Sequence, residues 1–415
     1  MKKLSAYWVY LVLQGGMALF FSMIFTASAI YQVTLVGLSP LQLVLVGTAL
    51  EVACFVFEVP TGVVADVYSR RLSIIIGMFL IGIGFLVEGS LPLFGFILLA
   101  QLLWGLGYTF TSGATEAWIT DEIGEAAAGR AFLRSNQVGN LMALAGIGLG
   151  TLIGVVRINL PIIIGAFGLM LLGLFLILVM PETGFKPTRR EDRSTWQNMA
   201  QTFRDGLGMV RRRPALGRIL TIGLLYGLYS EGFDRLWTKQ ILDTMQLPLA
   251  GVVQPVVWFG LMRAAGLLLA TGATEVVNRR VETDSHLNVA QALMAITTLL
   301  IAGLYGFALA GSFWFAAAAY LVISVTRNVI APLYMAWVNQ RLDSSVRATV
   351  ISMSSQVDAI GQIAGGPIVG VIGSLVSVRA ALLTSATILA PVLALFRAAI
   401  RSGDEPAVEK AEPAG

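Results

Sequence analysis

The chain has 415 residues, 56% of them apolar and 13% charged, with a mean hydropathy of +0.79, where soluble domains carry about 25% charged residues. So little polar surface excludes a water-facing globule and makes lipid the solvent. The net charge of +4 comes from basic residues scattered over loops with no interleaved basic–aromatic patch, which excludes nucleic acid as a partner. Cys54 and His286 are the only residues of their kinds. An intramolecular disulfide is therefore impossible, a zinc site lacks its donors, and neither metal nor cofactor is expected. A Ser-His-Asp arrangement would need His286 in a charged loop, so no enzyme and no catalytic residue is expected.

A helix needs about 20 mostly apolar residues to cross the hydrocarbon core. About twelve such runs can be read: near 8–33, 41–66, 72–90, 93–119, 134–156 and 160–180, then 216–239, 252–276, 287–309, 313–338, 348–373 and 378–399. The first run extends well past signal-peptide length and has no convincing cleavage site. Residues 1–180 are read as one six-helix bundle and 216–400 as a second, joined by a polar linker over 181–215. Within the linker, Trp196, Met199, Phe203, Leu207 and Val210 recur at helical spacing with Arg204 and Arg211 nearby, the pattern of an amphipathic helix on the inner membrane face. The tail, 401–415, is polar and Pro-containing and is expected to be disordered.

Alternate loops differ in charge. One set carries Lys2, Lys3, Arg70, Arg71, Arg130, Arg134, the linker cluster up to Arg218, Arg279, Arg280, Arg341, Arg347, Arg397, Arg401 and Lys410; the other carries only Arg157, Lys239 and Arg379. The positive-inside rule then predicts a multi-pass inner-membrane protein with both termini and the linker in the cytoplasm. The halves also repeat without a gap: Trp118 and Trp337, Gln137 and Gln356, Gly146 and Gly365, Gly154 and Gly373 keep one separation. The fold expected is an all-α membrane protein, twelve transmembrane helices in two six-helix bundles related by a pseudo-two-fold axis.

The loop between the second and third runs reads Gly62, Val63, Val64, Ala65, Asp66, Val67, Tyr68, Ser69, Arg70, Arg71. It resembles the G-x-x-x-D-x-x-[GS]-R-[KR] loop of the major facilitator superfamily, and span count, linker and repeat extend the resemblance over nearly the whole chain. The resemblance implies alternating access, with Gly62, Asp66, Arg70 and Arg71 as a conformational latch and Asp66 facing the start of span eleven, where a helix N-terminus favours an anion. Gly62 is expected to admit a neighbouring helix closely, and Pro60 to loosen the end of span two. The alternative for the arginines is topology and lipid phosphate alone. The glycines of span five, Gly139, Gly146, Gly148, Gly150 and Gly154, partly resemble a motif of drug-exporting branches; only the second copy has Gly366-Pro367, and close helix packing explains them equally. The arginine that antiporters of the family often carry in span four is Gln101 here, so its proton-relay role does not transfer.

Ionisable groups at membrane depth are functional candidates by default. Glu51, Glu231, Arg263, Arg327 and Asp358 lie deep in their runs. In the second half, Arg263, Arg327 and Asp358 are expected to form a charge network, Arg327 pairing with Glu231 or Asp358, either for structure or for substrate. The first half has Glu51, Glu58 and Glu116 and no deep cation. Glu51 and Glu58 share a helix face in a low-dielectric setting, so with Glu116 and Glu231 they are the candidate proton carriers. From the resemblance, spans one, four, seven and ten line the cavity, which nominates Gln14, Phe21, Tyr31, Tyr226, Tyr229, Asp234, Arg327 and Tyr334. Such an aromatic, weakly polar wall suits a bulky amphiphile. The expected function is proton-driven efflux of small amphiphilic compounds or drugs, as in the tetracycline- and macrolide-exporting branches; nutrient or metabolite uptake or uniport is the alternative, and a non-transporting receptor a more distant one. The expected partners are a small-molecule substrate, protons and membrane lipids, with the chain acting as a monomer.

Overall fold

The computed structural model describes residues 4–187, 204, 214–280, 285–340 and 344–401. Those residues form fourteen helices: α1 (Ala6–Thr34), α2 (Pro40–Val67), α3 (Arg70–Ser90), α4 (Phe94–Thr111), α5 (Ala114–Ile123), α6 (Glu125–Val156), α7 (Leu160–Val179), α8 (Pro214–Thr244), α9 (Pro255–Arg280), α10 (His286–Leu309), α11 (Phe313–Gln340), α12 (Ser344–Leu375), α13 (Val378–Leu389) and α14 (Pro391–Arg401). No strand occurs among the described residues. The amphipathic linker helix and the tail predicted from the sequence lie outside them, apart from Arg204 and Arg401.

Local chemistry sets the breaks. Before α2, Ser39 Oγ accepts from the Gln42 amide at 3.3 Å and Gln42 Oε1 accepts from the Ser39 amide at 2.9 Å, a capping box completed by Pro40 in the first turn. Gly113 separates α4 from α5 with φ of 70°, and Gly124 separates α5 from α6 with φ of 80°, conformations open to glycine at no steric cost. Among the described residues, eleven spans are long and apolar enough to cross a membrane, with Phe94–Ile123 and Val378–Arg401 each counted as one. The remaining predicted run, the seventh at 216–239, is helical too, as α8, but it carries Glu231, Asp234, Arg235 and Lys239 inside its length. Helix α6 starts at Glu125, nine residues before the predicted run at 134, because Ala126, Ala127 and Ala128 are strong helix formers although they extend the helix beyond its apolar stretch.

The described residues fall into two compact units, one drawn from 1–199 and 246–264, the other from 200–245 and 265–415. In the first, α1 packs along α6 and α3 lies against α4 and α7; in the second, α8 packs along α12 and α10 against α11. The repeated glycines explain the two long pairings. A Cβ at Gly146 would collide with the Leu19 carbonyl of α1, and one at Gly150 would lie 2.7 Å from the Met23 carbonyl. In the second unit a Cβ at Gly361 would lie 2.6 Å from the Leu224 carbonyl of α8, and one at Gly365 would collide with that of Leu228. The glycines thus bring helix backbones into contact. The repeated tryptophans, Trp118 and Trp337, are each 1% exposed and anchor corresponding positions of the two units.

Candidate functional site

Gly223, Tyr226, Ser230 and Asp234 follow one another at helical spacing along one face of α8. Opposite them stand Arg327, Ile330, Ala331 and Tyr334 of α11 and Ser354, Ser355, Asp358 and Gln362 of α12. Between these walls lies a cavity of about 460 Å³ within the second unit, also lined by Tyr229 and Met335. Of the sequence candidates, Tyr226, Tyr229, Asp234, Arg327, Tyr334 and Asp358 all meet here.

Charge in the cavity is arranged differently from the expectation. Arg327 grips Asp234 with both terminal nitrogens, Nη2 at 2.8 Å from Oδ2 and Nη1 on Oδ1, a fork geometry that adds direction to attraction. The same guanidinium stands 5.9 Å from the Tyr229 ring centroid, within cation–π range. The predicted partners are engaged elsewhere. Glu231 is buried on the side of α8 away from the cavity lining and takes Arg235 Nε at 3.2 Å. Asp358 Oδ2 accepts from Gln362 Nε2 at 2.8 Å. Arg263 falls in the first unit, while Arg327 pairs with Asp234 and shares the cavity with Asp358. The tyrosine hydroxyls are anchored: Tyr226 shares a 2.8 Å hydrogen bond with Thr297, and Tyr334 donates to the Ile219 carbonyl at 2.8 Å. Their rings face the cavity with their polar ends satisfied.

The first unit has a cavity of about 560 Å³ lined by Tyr10, Gln14, Met17, Phe21 and Glu116, with Ser135, Asn136 and Asn140 of α6. Gln14 donates to the Tyr10 hydroxyl at 3.2 Å, and Phe21 stacks on Phe25 at 5.6 Å between centroids. Gln14, Phe21 and Glu116 thus meet, whereas two other expectations change. Tyr31 lines neither cavity; it is 1% exposed and donates its hydroxyl to the Glu88 carbonyl at 2.8 Å. Glu51 is half-buried and Glu58 exposed, and neither lines either cavity. The enclosed carboxylate of this unit is Glu88, which the sequence reading missed although it is the only charged residue of α3 after Arg70 and Arg71. Its place one turn from the end of an apolar run made it look interfacial.

The latch loop is held from within the first unit. Arg70 pairs with Asp121 of α5, and Arg71 Nη2 donates to the Ile177 carbonyl at 2.6 Å. Glu182, also missed, caps the start of α3, accepting from Ser69 Oγ at 2.7 Å and the Arg71 amide at 2.8 Å. A Cβ at Gly62 would meet nothing within 4 Å among the described residues, which show no close helix approach there. The residues just before span eleven, 341–343, lie outside the described residues, so the expected partner of Asp66 does too in part. No group of three or more His, Cys, Asp or Glu among the described residues could hold a metal ion.

Comparison with known proteins accords with this architecture. The chain is 23% identical over 362 residues to the uncharacterised MFS-type transporter YxaM of Bacillus subtilis (strain 168), covering 86% of each chain. Its fold matches the crystal structure of the nucleoside transporter NupG with a TM-score of 0.75 at 14% identity, over 95% of this chain and 99% of that one. A bacterial homologue of the human lysosomal transporter Spinster, in an inward-facing, unoccupied conformation, matches with a TM-score of 0.73 at 12% identity, over 95% and 97%. The profile of the Major Facilitator Superfamily covers residues 10–283, and the chain belongs to that superfamily of multi-pass membrane transporters.

Proposed function

We propose that the chain exports small amphiphilic compounds across the inner membrane, driven by protons and working by alternating access, with both termini cytoplasmic. The observation that carries this reading is the second-unit cavity. Tyr226, Tyr229 and Tyr334 offer flat apolar faces with anchored hydroxyls, while Arg327, Asp234 and Asp358 supply charge of both signs. A pocket of mostly apolar wall with a few fixed polar groups suits a ligand that is itself amphiphilic. Glu116 is exposed and borders the first-unit cavity, which puts it first among the proposed proton carriers, with Glu51, Glu58 and Glu231 behind it. Gly62, Asp66, Arg70 and Arg71 are proposed as the latch.

A second reading, uptake or uniport of a polar metabolite, draws support from the serines and Gln362 that share the same cavity, because hydroxyls and amides satisfy a hydrogen-bonding substrate. Proteoliposomes loaded with an amphiphilic dye separate the two. The export reading expects dye flux that an imposed pH gradient accelerates and a protonophore abolishes. Dye flux indifferent to the gradient overturns proton drive, and no dye flux alongside nucleoside or peptide flux favours the second reading.

A further inference from the structure

Glu88 lies wholly inside the first unit, with 0% of its surface exposed, in the last turn of α3. Its Oε1 accepts from Ser28 Oγ at 2.5 Å and from Gln32 Nε2 at 2.8 Å, both on α1. Its Oε2 accepts from Gln101 Nε2 of α4 at 3.2 Å. These three donors are neutral side chains. The turn that carries Glu88 is itself fixed, since Tyr31 donates to the Glu88 carbonyl at 2.8 Å and Asn159 Nδ2 to the Gly89 carbonyl at 2.9 Å. The carboxyl group is held in place whatever its charge.

The telling atom is Gln101 Oε1. Gln101 is 2% exposed, and its Oε1 is buried with no hydrogen-bond partner. Buried polar atoms normally find one. A half-turn of the amide would exchange Oε1 and Nε2 and bring an acceptor to the position now held by a donor. With Glu88 ionised, Nε2 donates to Oε2. With Glu88 protonated on Oε2, the new O–H donates to Oε1 instead. In either orientation one end of the amide is left over, so the turn has little bias of its own and the proton decides it.

We infer that Glu88 and Gln101, with Ser28 and Gln32, form a proton-binding site in the first unit, distinct from the cavity that Glu116 borders. The step is balanced: a proton from bulk water bonds to Oε2, and the Gln101 amide turns to accept from it. A metal cation does not fit, because Ser28 and Gln32 stand at direct hydrogen-bond distance from Oε1 and leave no gap for an ion. The neighbouring titratable groups are few. Tyr31 faces Glu88 from α1, where Tyr7 and Tyr10 lie at the opposite end; α7 carries none, and α4 has only Tyr108, two turns beyond Gln101. On α2, Glu51 follows Leu50, whose carbonyl would lie 3.0 Å from a Cβ at Gly105, one turn from Gln101. Cys54, Glu58 and Asp66 lie further along α2. The charges of α5, Glu116, Asp121 and Glu122, belong to the end of α3 marked by the Arg70–Asp121 pair, and those of α6 are Glu125, Arg130 and Arg134, with Arg157 after it.

The inference deepens the proton-driven reading and rests on it only for the use of the proton in transport. The equilibrium test is independent of flux, so the two can fail separately. Infrared difference spectra of the purified full chain in detergent are recorded as pH is stepped. A carboxylic-acid carbonyl band should grow on acidification, together with a change in a glutamine side-chain amide band. The amide change and the component of the band that titrates with it should vanish in Glu88→Gln, an isostere of the neutral acid, and persist in Glu51→Gln. Should Glu88→Gln fail to fold, Ser28→Ala should still displace the midpoint of the band by several-fold in proton concentration, since it removes the shortest donor to the ionised form. An amide-coupled component that survives Glu88→Gln, one that disappears in Glu51→Gln instead, a midpoint unmoved by Ser28→Ala, or no such component across the range where the protein stays folded would overturn the site.

Discussion

Arg327 stands in a cavity wall with three carboxylates within reach of the sequence argument, and it binds Asp234, which faces it from the opposite wall. Asp234 and Arg327 are 41% and 31% exposed at their side chains, so their attraction is screened and is worth about 1 kcal/mol rather than the several of a buried pair. Asp234→Asn and Arg327→Gln are each expected to leave a lone charge in the cavity, and the double variant to recover part of the loss. A double-mutant cycle on thermal unfolding in detergent should return a coupling of about 1 kcal/mol. Strict additivity would contradict the pairing, as would a larger coupling of Arg327 with Glu231 or Asp358. The choice of partner was hidden from the sequence. Glu231 and Asp234 are three residues apart on α8, and only the rotation of the helix against α11 and α12 decides which meets the cavity. Depth could be read from position in the run, but facing could not. Glu88 was missed for a related reason, since a carboxylate near a span end satisfied by Ser28, Gln32 and Gln101 leaves no trace in hydropathy.

At the level of helices, the glycines of α6 sort by what they touch. Gly146→Ala would press a methyl group into the Leu19 carbonyl, whereas Gly148→Ala would meet nothing within 4 Å. The first should cost about 1–3 kcal/mol through overpacking. The second should be neutral or gain about 0.4–1 kcal/mol from the stiffer unfolded chain. Gly365→Ala, against the Leu228 carbonyl, should behave like Gly146→Ala. Thermal unfolding of the three variants in one detergent checks this order, and a Gly148→Ala variant as unstable as the other two would refute it. The positions of most helices were legible to within a few residues, because apolar length in lipid is a strong constraint, though the breaks at Gly113 and Ala390 inside two of the runs were not. The continuation of α6 down to Glu125 was not, because a run of alanines propagates a helix where hydropathy has already fallen.

For the molecule as a whole, the twofold repetition was plain in the ungapped pairing of Trp118 with Trp337 and Gly146 with Gly365, and each pair recurs as matching packing inside its own unit. The loop proposed as the latch was legible as a motif but not as a set of contacts: the arginines find Asp121 and the Ile177 carbonyl, and neither acceptor is part of the motif. Asp66 is the member of the loop whose role depends on the moving whole. Asp66→Asn should insert and unfold like the parent chain while losing most gradient-driven transport, since an anion at a helix terminus contributes about 0.3–2 kcal/mol to the state it favours. Parental flux from a correctly inserted Asp66→Asn protein would remove the residue from the cycle.

The short segment Pro181–Gly184 is fastened at every residue. Trp118 Nε1 donates to the Pro181 carbonyl at 2.8 Å, Glu182 holds the start of α3, and Glu122 accepts from the Thr183 and Gly184 amides, the latter at 2.7 Å, and from the Thr183 hydroxyl. The covalent tether between the halves therefore takes its origin at Gly184 rather than at the last turn of α7. Any pull along it is delivered to the feet of α3 and α5, beside the Gly113 and Gly124 breaks, and α7 is shielded from that force. Cutting the Trp118 and Glu122 grips would move that attachment and change the leverage while leaving the tether's length in sequence unaltered.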